Sequence, residues 1–309
     1  MNASLPAPEF VCTGSVILDD IVFPDGRTEM AVLGGGGTHA AAGMNVWDVR
    51  PGLLGAIGYD LPDAIAARLE QMCDLRGVIS LDMPQLRAWQ IFEWNGRRTE
   101  IFRDDAMVPY LDVPSAHEAT SAYNGAKAIH VLREAEGLRE YRERYPQATM
   151  LWEPEQAFMV AAQREAFVAA LSVADVVTPN HLEASLVYGE NDPGVLLRRM
   201  LEGGAAAAAL RMGAAGSIAA VRGDSRLLRV PAVPVPDIVD VTGAGNTYGG
   251  AFLVGWHETH DLATAVAYGA VAASFCLEQL GVLNYTPSLD ALRAERLAWA
   301  RAHLTWEEA

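Results

Sequence analysis

Cysteine is scarce in this chain, with three residues, Cys12, Cys73 and Cys276, in 309. They are far apart and show no metal-ligand spacing, which excludes a disulfide framework or a cysteine-rich zinc site and leaves buried thiols of a reducing compartment. Basic charge is short as well: 23 Lys plus Arg against 39 Asp plus Glu give a net charge of −16. A molecule of that charge repels nucleic-acid backbones and anionic membrane surfaces. A small anion such as a nucleotide stays admissible, because backbone N–H groups, a helix N-terminus and a metal ion can hold phosphates without a basic surface. The chain has no uninterrupted apolar run of membrane-spanning length, and Met1-Asn2-Ala3-Ser4-Leu5-Pro6 has no basic stretch leading into an apolar one. The expectation is a soluble cytoplasmic protein with neither nucleic-acid nor membrane partners.

What is present is a globular composition, 51% apolar and 20% charged, long enough to bury a substantial core. Phe10 to Ser15, Leu53 to Gly58, Ala128 to Leu132, Thr149 to Trp152, Val176 to Thr178 and Ala206 to Arg211 read as short buried strands. Between and after them lie helix-suited stretches, among them Thr38 to Trp47, Ala64 to Asp74, Leu262 to Leu280 and Leu289 to His303. This alternation predicts an α/β fold with a mostly parallel sheet and ligands at the carboxyl ends of its strands. Trp89 to Trp94 and Arg97 to Phe102 flank Asn95-Gly96, a pair that favours a type I′ hairpin turn.

The stretch Val239-Asp240-Val241-Thr242-Gly243-Ala244-Gly245-Asn246-Thr247-Tyr248 precedes the apolar run Gly249 to Trp256. Small residues at a helix start let backbone N–H groups face a phosphate or another oxyanion. A glycine-rich turn that merely caps a core helix has the same sequence, and the stretch alone leaves both readings open.

The stretch resembles the second signature of the ribokinase (PfkB) family, Asp-Thr-x-Gly-Ala-Gly-Asp, whose final Asp takes the proton of the acceptor hydroxyl. Val241 stands for the usual Thr and Asn246 for that Asp. Further elements follow in family order. Gly14, with Asp19 five residues on, is similar to the first-strand element whose Asp binds substrate hydroxyls. Gly34-Gly35-Gly36-Gly37-Thr38-His39 is similar to the family's Gly-Gly signature, with His39 where an Asn commonly contacts the sugar. Asn180 and Glu183 resemble the Asn-x-x-Glu element near magnesium and phosphate, and Leu210 to Gly216 the strand and turn before the nucleotide loop.

The resemblance implies a three-layer ribokinase-like domain over residues 8–305, with a small β lid from about 15–33 and 84–104. It implies ATP and Mg2+, with a monovalent cation as a further candidate, a small-molecule hydroxyl acceptor, and a homodimer through the lid. It assigns Gly243, Ala244, Gly245 and Asn246 to catalysis; Asp19, Gly35, Gly36 and His39 to the acceptor; and Asn180, Glu183, Arg211, Gly213, Gly216, Asp240 and Thr242 to the nucleotide, with Glu183 also at the metal. Several have ordinary structural readings too: Asp19 and Asp20 solvating a strand end, His39 as a core residue, Glu183 offsetting a helix dipole. An amide is a very weak base, so Asn246 predicts either a slow kinase, with hydroxyl orientation replacing proton abstraction, or a pseudokinase that binds nucleotide and sugar without turnover. A dehydrogenase is disfavoured, because Gly14 opens no Gly-x-Gly-x-x-Gly pattern.

Overall fold

The structure is a computed structural model that describes residues 6–94 and 98–308. The expected Asn95-Gly96 turn therefore lies outside the described residues.

Fourteen strands are described: β1 Phe10–Thr13, β2 Ile17–Val22, β3 Thr28–Gly34, β4 Gly52–Ile57, β5 Val78–Ser80, β6 Arg87–Phe92, β7 Arg98–Phe102, β8 Ala128–Arg133, β9 Thr149–Pro154, β10 Val176–Val177, β11 Ala207–Arg211, β12 Ser217–Val221, β13 Arg226–Val230 and β14 Thr305–Glu308. Ten of them form one sheet in the order β14-β13-β12-β11-β10-β9-β8-β1-β4-β5, and β3-β2-β6-β7 form a smaller accessory sheet. The large sheet is parallel from β5 to β11 and antiparallel from β11 to β14.

Its central strands are buried along nearly their whole length because helices cover both faces. Alternation sends Phe10, Cys12, Ala207 and Ala209 into one core layer. Their neighbours Val11, Ala208 and Leu210 enter the other. The first layer is closed by α1 Gly36–Asn45, α2 Asp63–Met72, α7 Ala244–Thr259, α8 Leu262–Cys276 and α9 Asp290–Ala302. The second is closed by α3 Ala135–Arg144, α4 Arg164–Ala170, α5 His181–Tyr188 and α6 Pro193–Glu202.

Helices α1 and α7 cross at very close range. A Cβ on Gly43 would strike the Thr247 carbonyl, and one on Gly250 the Ala40 carbonyl, so both crossing points need glycine. The chain runs from β1 outward to β4 and β5 on one side, and from β8 to β11 on the other, which places a topological switch point between β1 and β8. In open α/β sheets ligands bind beyond the strand ends at such a point.

Candidate functional site

At the switch point, Val239 to Asn246 lead into α7. Asp240 is buried and builds this turn: one carboxylate oxygen accepts the Thr242 N–H at 2.8 Å and the other the Gly281 N–H at 3.4 Å. Gly243 then adopts a left-handed conformation, φ 72°. The His39 ring lies directly beneath it, where any Cβ on residue 243 would collide with Nδ1, Cε1 and Cγ. Only glycine satisfies both the positive φ and the ring. The turn leaves the N–H groups of Gly245 and Asn246 without hydrogen-bond partners among the described residues, at the positive end of a 16-residue helix.

His39 is 1% exposed, and burial pushes its imidazole down to about 4, so it is neutral near pH 7. Its Nε2 has no partner among the described residues, and its Nδ1 stands 4.0 Å from the Cys276 sulfur. Cys276 in turn donates to the Thr242 carbonyl at 3.4 Å.

Two cavities open on either side of this turn. One, of about 480 Å3, lies between the turn, the strand ends and the accessory sheet, with Asp19, Gln90, His39, Glu155, Thr242 and Asn246 in its walls. The other, of about 570 Å3, has mostly apolar walls from residues such as Val235, Ile238, Val241, Tyr248 and Leu277. Asn180 and Arg211 border both.

Arg211 ends β11 beside Gly245, where a Cβ would meet its Nη1. Its guanidinium is ion-paired with Glu153 and lies 3.6 Å from Glu183, while its Nε has no partner among the described residues. Burial alone would raise the Glu153 carboxyl, but Arg211 and a 2.9 Å contact with buried His130 outweigh it and hold the group at about 2. Glu183 is pushed up by burial, against the pull of Arg211. Asn180 and Glu183 form a complete capping box on α5: Asn180 Oδ1 accepts the Glu183 N–H and Glu183 Oε2 accepts the Asn180 N–H, each at 2.8 Å. Glu183 thus sits in the first turn of α5, where it can offset the helix dipole, and also at the cavity wall.

Strand alternation separates the two aspartates of β2. Asp19 faces the first cavity and accepts from Gln90 Nε2 at 2.8 Å; burial raises its carboxyl to about 6. Asp20 points the other way and binds Arg87 at 2.6 Å, Arg103 at 2.8 Å and the Ala31 N–H at 2.9 Å. Asp20 thus fastens the accessory sheet internally.

Of the residues proposed from sequence, Asp19, Gly35, Gly36, His39, Thr242, Gly243 and Asn246 meet at the first cavity, with Glu183. Gly213, Gly216, Ala244 and Gly245 border the second. Asp240 lines neither and acts from below, by shaping the turn. Sequence reasoning passed over Glu153, Gln90, Glu155 and Arg98. Glu153 left a signal, an acid ending the apolar run Thr149 to Trp152 at a strand's carboxyl end. Gln90 left none, being one polar residue among the aromatics of a strand.

The model of the pfkB family carbohydrate kinases matches residues 107–289, more than half of the chain and including the turn, Glu153, Asn180 and Arg211. The chain belongs to the pfkB carbohydrate kinase family. A cytidine kinase of Thermococcus kodakarensis is 25% identical, over 90% of this chain and 99% of its own length. Among solved structures, a putative ribokinase II from E. coli superposes with a TM-score of 0.79 at 17% identity, covering 94% of this chain and 99% of that one. The same ribokinase II in complex with ATP and Mg2+ gives 0.76. A Burkholderia thailandensis nucleoside kinase in complex with inosine gives 0.75 at 18% identity, over 94% of this chain and 97% of that one. The pfkB fold these structures share is the three-layer α/β sandwich with a large, mostly parallel sheet and a smaller accessory sheet.

Proposed function

We propose that this chain transfers the γ-phosphoryl group of ATP to a hydroxyl of a sugar, a nucleoside or a related small molecule. The observation that carries this reading is the Gly243 to Asn246 turn, with unpartnered amides at a helix N-terminus between a polar and an apolar cavity. In this reading the apolar cavity takes the nucleotide base and the polar one the acceptor, with the accessory sheet as its lid. A ribokinase II solved with ATP and Mg2+ and a nucleoside kinase solved with inosine share this fold, which supports a nucleotide and a small hydroxyl compound as the two ligands.

The Gly245 and Asn246 N–H groups, the α7 dipole and the Arg211 guanidinium would stabilise charge on the transferring phosphoryl group. Asp19 would orient the acceptor hydroxyl in line with it. The side chain of Asn246 lines the acceptor cavity and has no hydrogen-bond partner among the described residues, so it is free to hold that hydroxyl. Because the transition state is loose, the proton can leave late, to a phosphoryl oxygen or to solvent, without a strong base.

Magnesium bound with the nucleotide would screen the β- and γ-phosphates, held mainly by phosphate oxygens and water. The chain fits that role without a dedicated cage. Glu183 borders the polar cavity beside the turn and can meet the ion through water, while its other contacts, the Asn180 N–H and Arg211, hold it in place.

The test is a titration with Mg2+ and an ATP analogue, then a turnover screen over pentoses, hexoses and nucleosides. Nucleotide binding with phosphorylation of one class bears the reading out; absence of nucleotide binding overturns it. Asn246 also favours a second reading, a nucleotide- and sugar-binding sensor without turnover. Binding of both ligands with no product would select it.

A further inference from the structure

Strand β7 is an edge of the accessory sheet, and alternation turns Arg98, Glu100 and Phe102 toward the polar cavity. Glu100 stays within the sheet, accepting from Gln90 Nε2 at 2.7 Å. Arg98 leaves it. Its Nη1 lies 3.4 Å from the Thr242 hydroxyl, 144 positions along the chain, so an exposed side chain of the accessory sheet reaches the turn that opens α7.

Arg98, Arg133 and Arg211 all border this cavity, and two of them are committed elsewhere. Arg211 pairs with Glu153 and Glu183. Arg133 lies 3.6 Å from Asp112 and donates to the Leu132 and Pro114 carbonyls. Arg98 has no carboxylate partner among the described residues, although Asp19 and Glu100 border the same cavity. Burial raises the Asp19 carboxyl and lowers the His39 imidazole, and the Arg98 charge opposes the first shift and adds to the second. The guanidinium is therefore near enough to act on both. A neutral hydroxyl at 3.4 Å is a weak partner for a planar fork of five donors. Phosphate oxygens match that fork, and Arg98 extends it toward the turn whose Gly245 and Asn246 N–H groups also lack partners among the described residues.

We propose that Arg98 is a catalytic residue supplied by the accessory sheet, which exchanges its contact with the Thr242 hydroxyl for the γ-phosphoryl oxygens of a bound nucleoside triphosphate. This rests on the kinase reading above and deepens it. In the transfer, the bond from the γ-phosphorus to the β–γ bridging oxygen breaks and leaves its electron pair on ADP. A bond from the acceptor oxygen to that phosphorus forms, and the hydroxyl proton passes to a phosphoryl oxygen or to solvent. Arg98 stays protonated throughout and offsets charge from the side of the accessory sheet, while Arg211 does so from the core. ADP lacks the group that Arg98 holds, so the residue also distinguishes the triphosphate from the diphosphate.

The test is calorimetric, on the full chain with Mg2+, titrating a non-hydrolysable ATP analogue and, separately, ADP into the unmodified protein, Arg98→Met and Arg98→Lys. Arg98→Met should weaken the analogue about tenfold or more and ADP less than about twofold. Arg98→Lys keeps the charge and loses the fork, and should recover part of the loss. Because Arg98 is exposed, the thermal midpoint of both variants should stay within about 2 °C of the unmodified protein. With the best acceptor from the turnover screen, kcat of Arg98→Met should fall about 10²-fold. Equal weakening of the analogue and ADP, or unchanged affinity for both, overturns the inference. So does a kcat within about twofold of the unmodified value, or a larger fall in midpoint, which would make the role of Arg98 structural. If the unmodified protein binds both nucleotides without turnover, the affinity difference alone decides. If it binds neither, the kinase reading fails and this inference falls with it.

Discussion

At position 246 a side-chain amide borders the polar cavity, and in the proposed kinase reading this is where proton abstraction calls for a carboxylate. Restoring the carboxylate should speed the reaction: Asn246→Asp is expected to raise kcat by about 10²-fold or more, measured with the best acceptor from the screen. An unchanged or lower rate would mean that the amide has a positioning role a carboxylate cannot fill. Asp19 presents the opposite case, a carboxylate held where ionisation is costly. Burial raises it from its ordinary 3.8 to about 6, so the folded state binds this proton more tightly than the unfolded chain. The stability it contributes is then lost as pH rises from about 4 to 6. Asp19→Asn keeps the hydrogen bond from Gln90 and removes the charge. It should be more stable than the unmodified protein at pH 7.5, by about 1–3 kcal/mol, with the gap closing near pH 4 in thermal unfolding. Acceptor binding should fall in the same variant, as expected where function is bought with stability.

At the scale of elements, the turn is positioned by the crossing of α1 and α7. Gly250 meets the Ala40 carbonyl, Gly43 meets Thr247, and Gly243 sits over His39, which itself belongs to α1. The two helices therefore move as one body, and spreading them displaces the amides of Gly245 and Asn246. Gly250→Ala should cost about 1–3 kcal/mol by overpacking, despite the better helix propensity of alanine. It should also weaken ATP-analogue binding, although residue 250 borders neither cavity. Differential scanning calorimetry and a nucleotide titration read the two effects separately. On α5, the reciprocal bonds of Asn180 and Glu183 stabilise the first turn, and Asn180→Ala should cost about 1 kcal/mol in the same assay.

Across the whole molecule, acid stability should be governed by Glu153, buried near the end of β9 in the wall of the polar cavity. Its carboxyl is held at about 2 in the fold against an ordinary 4.5, so its contribution is complete above about 4.5 and is lost as pH falls toward 2. Arg211→Met removes the ion that holds it and leaves Glu153 buried with His130 alone. That variant should lose about 3–5 kcal/mol and unfold in acid at a higher pH midpoint, followed by circular dichroism. The net charge of −16 is compatible with the proposed anion site because the positive groups at the turn are backbone N–H dipoles and the Arg211 and Arg98 guanidiniums, which add little to the field of the whole surface.

Local regularities were legible in the sequence. Buried parallel strands are near-continuous apolar runs, so β1, β4, β8, β9 and β11 were readable to within one or two residues, and the turn betrayed itself by small residues before an apolar helix. The ordered motifs carried the family. The antiparallel strands β12, β13 and β14 were not foreseen: β12 is an Ala-rich five-residue stretch, and all four residues of β14 are exposed, paired to β13 through the backbone with little hydrophobic pattern. Nor could the sequence tell which way Asp19 and Asp20 point, whether Asp240 touches a ligand or builds the turn, or that Gln90 and Glu153 stand at the same cavity. Those depend on strand register, sheet order and the α1–α7 crossing, which bring residues more than a hundred positions apart within hydrogen-bonding range. Local propensity acts over a few residues, and only tertiary packing fixes side-chain partners across that distance.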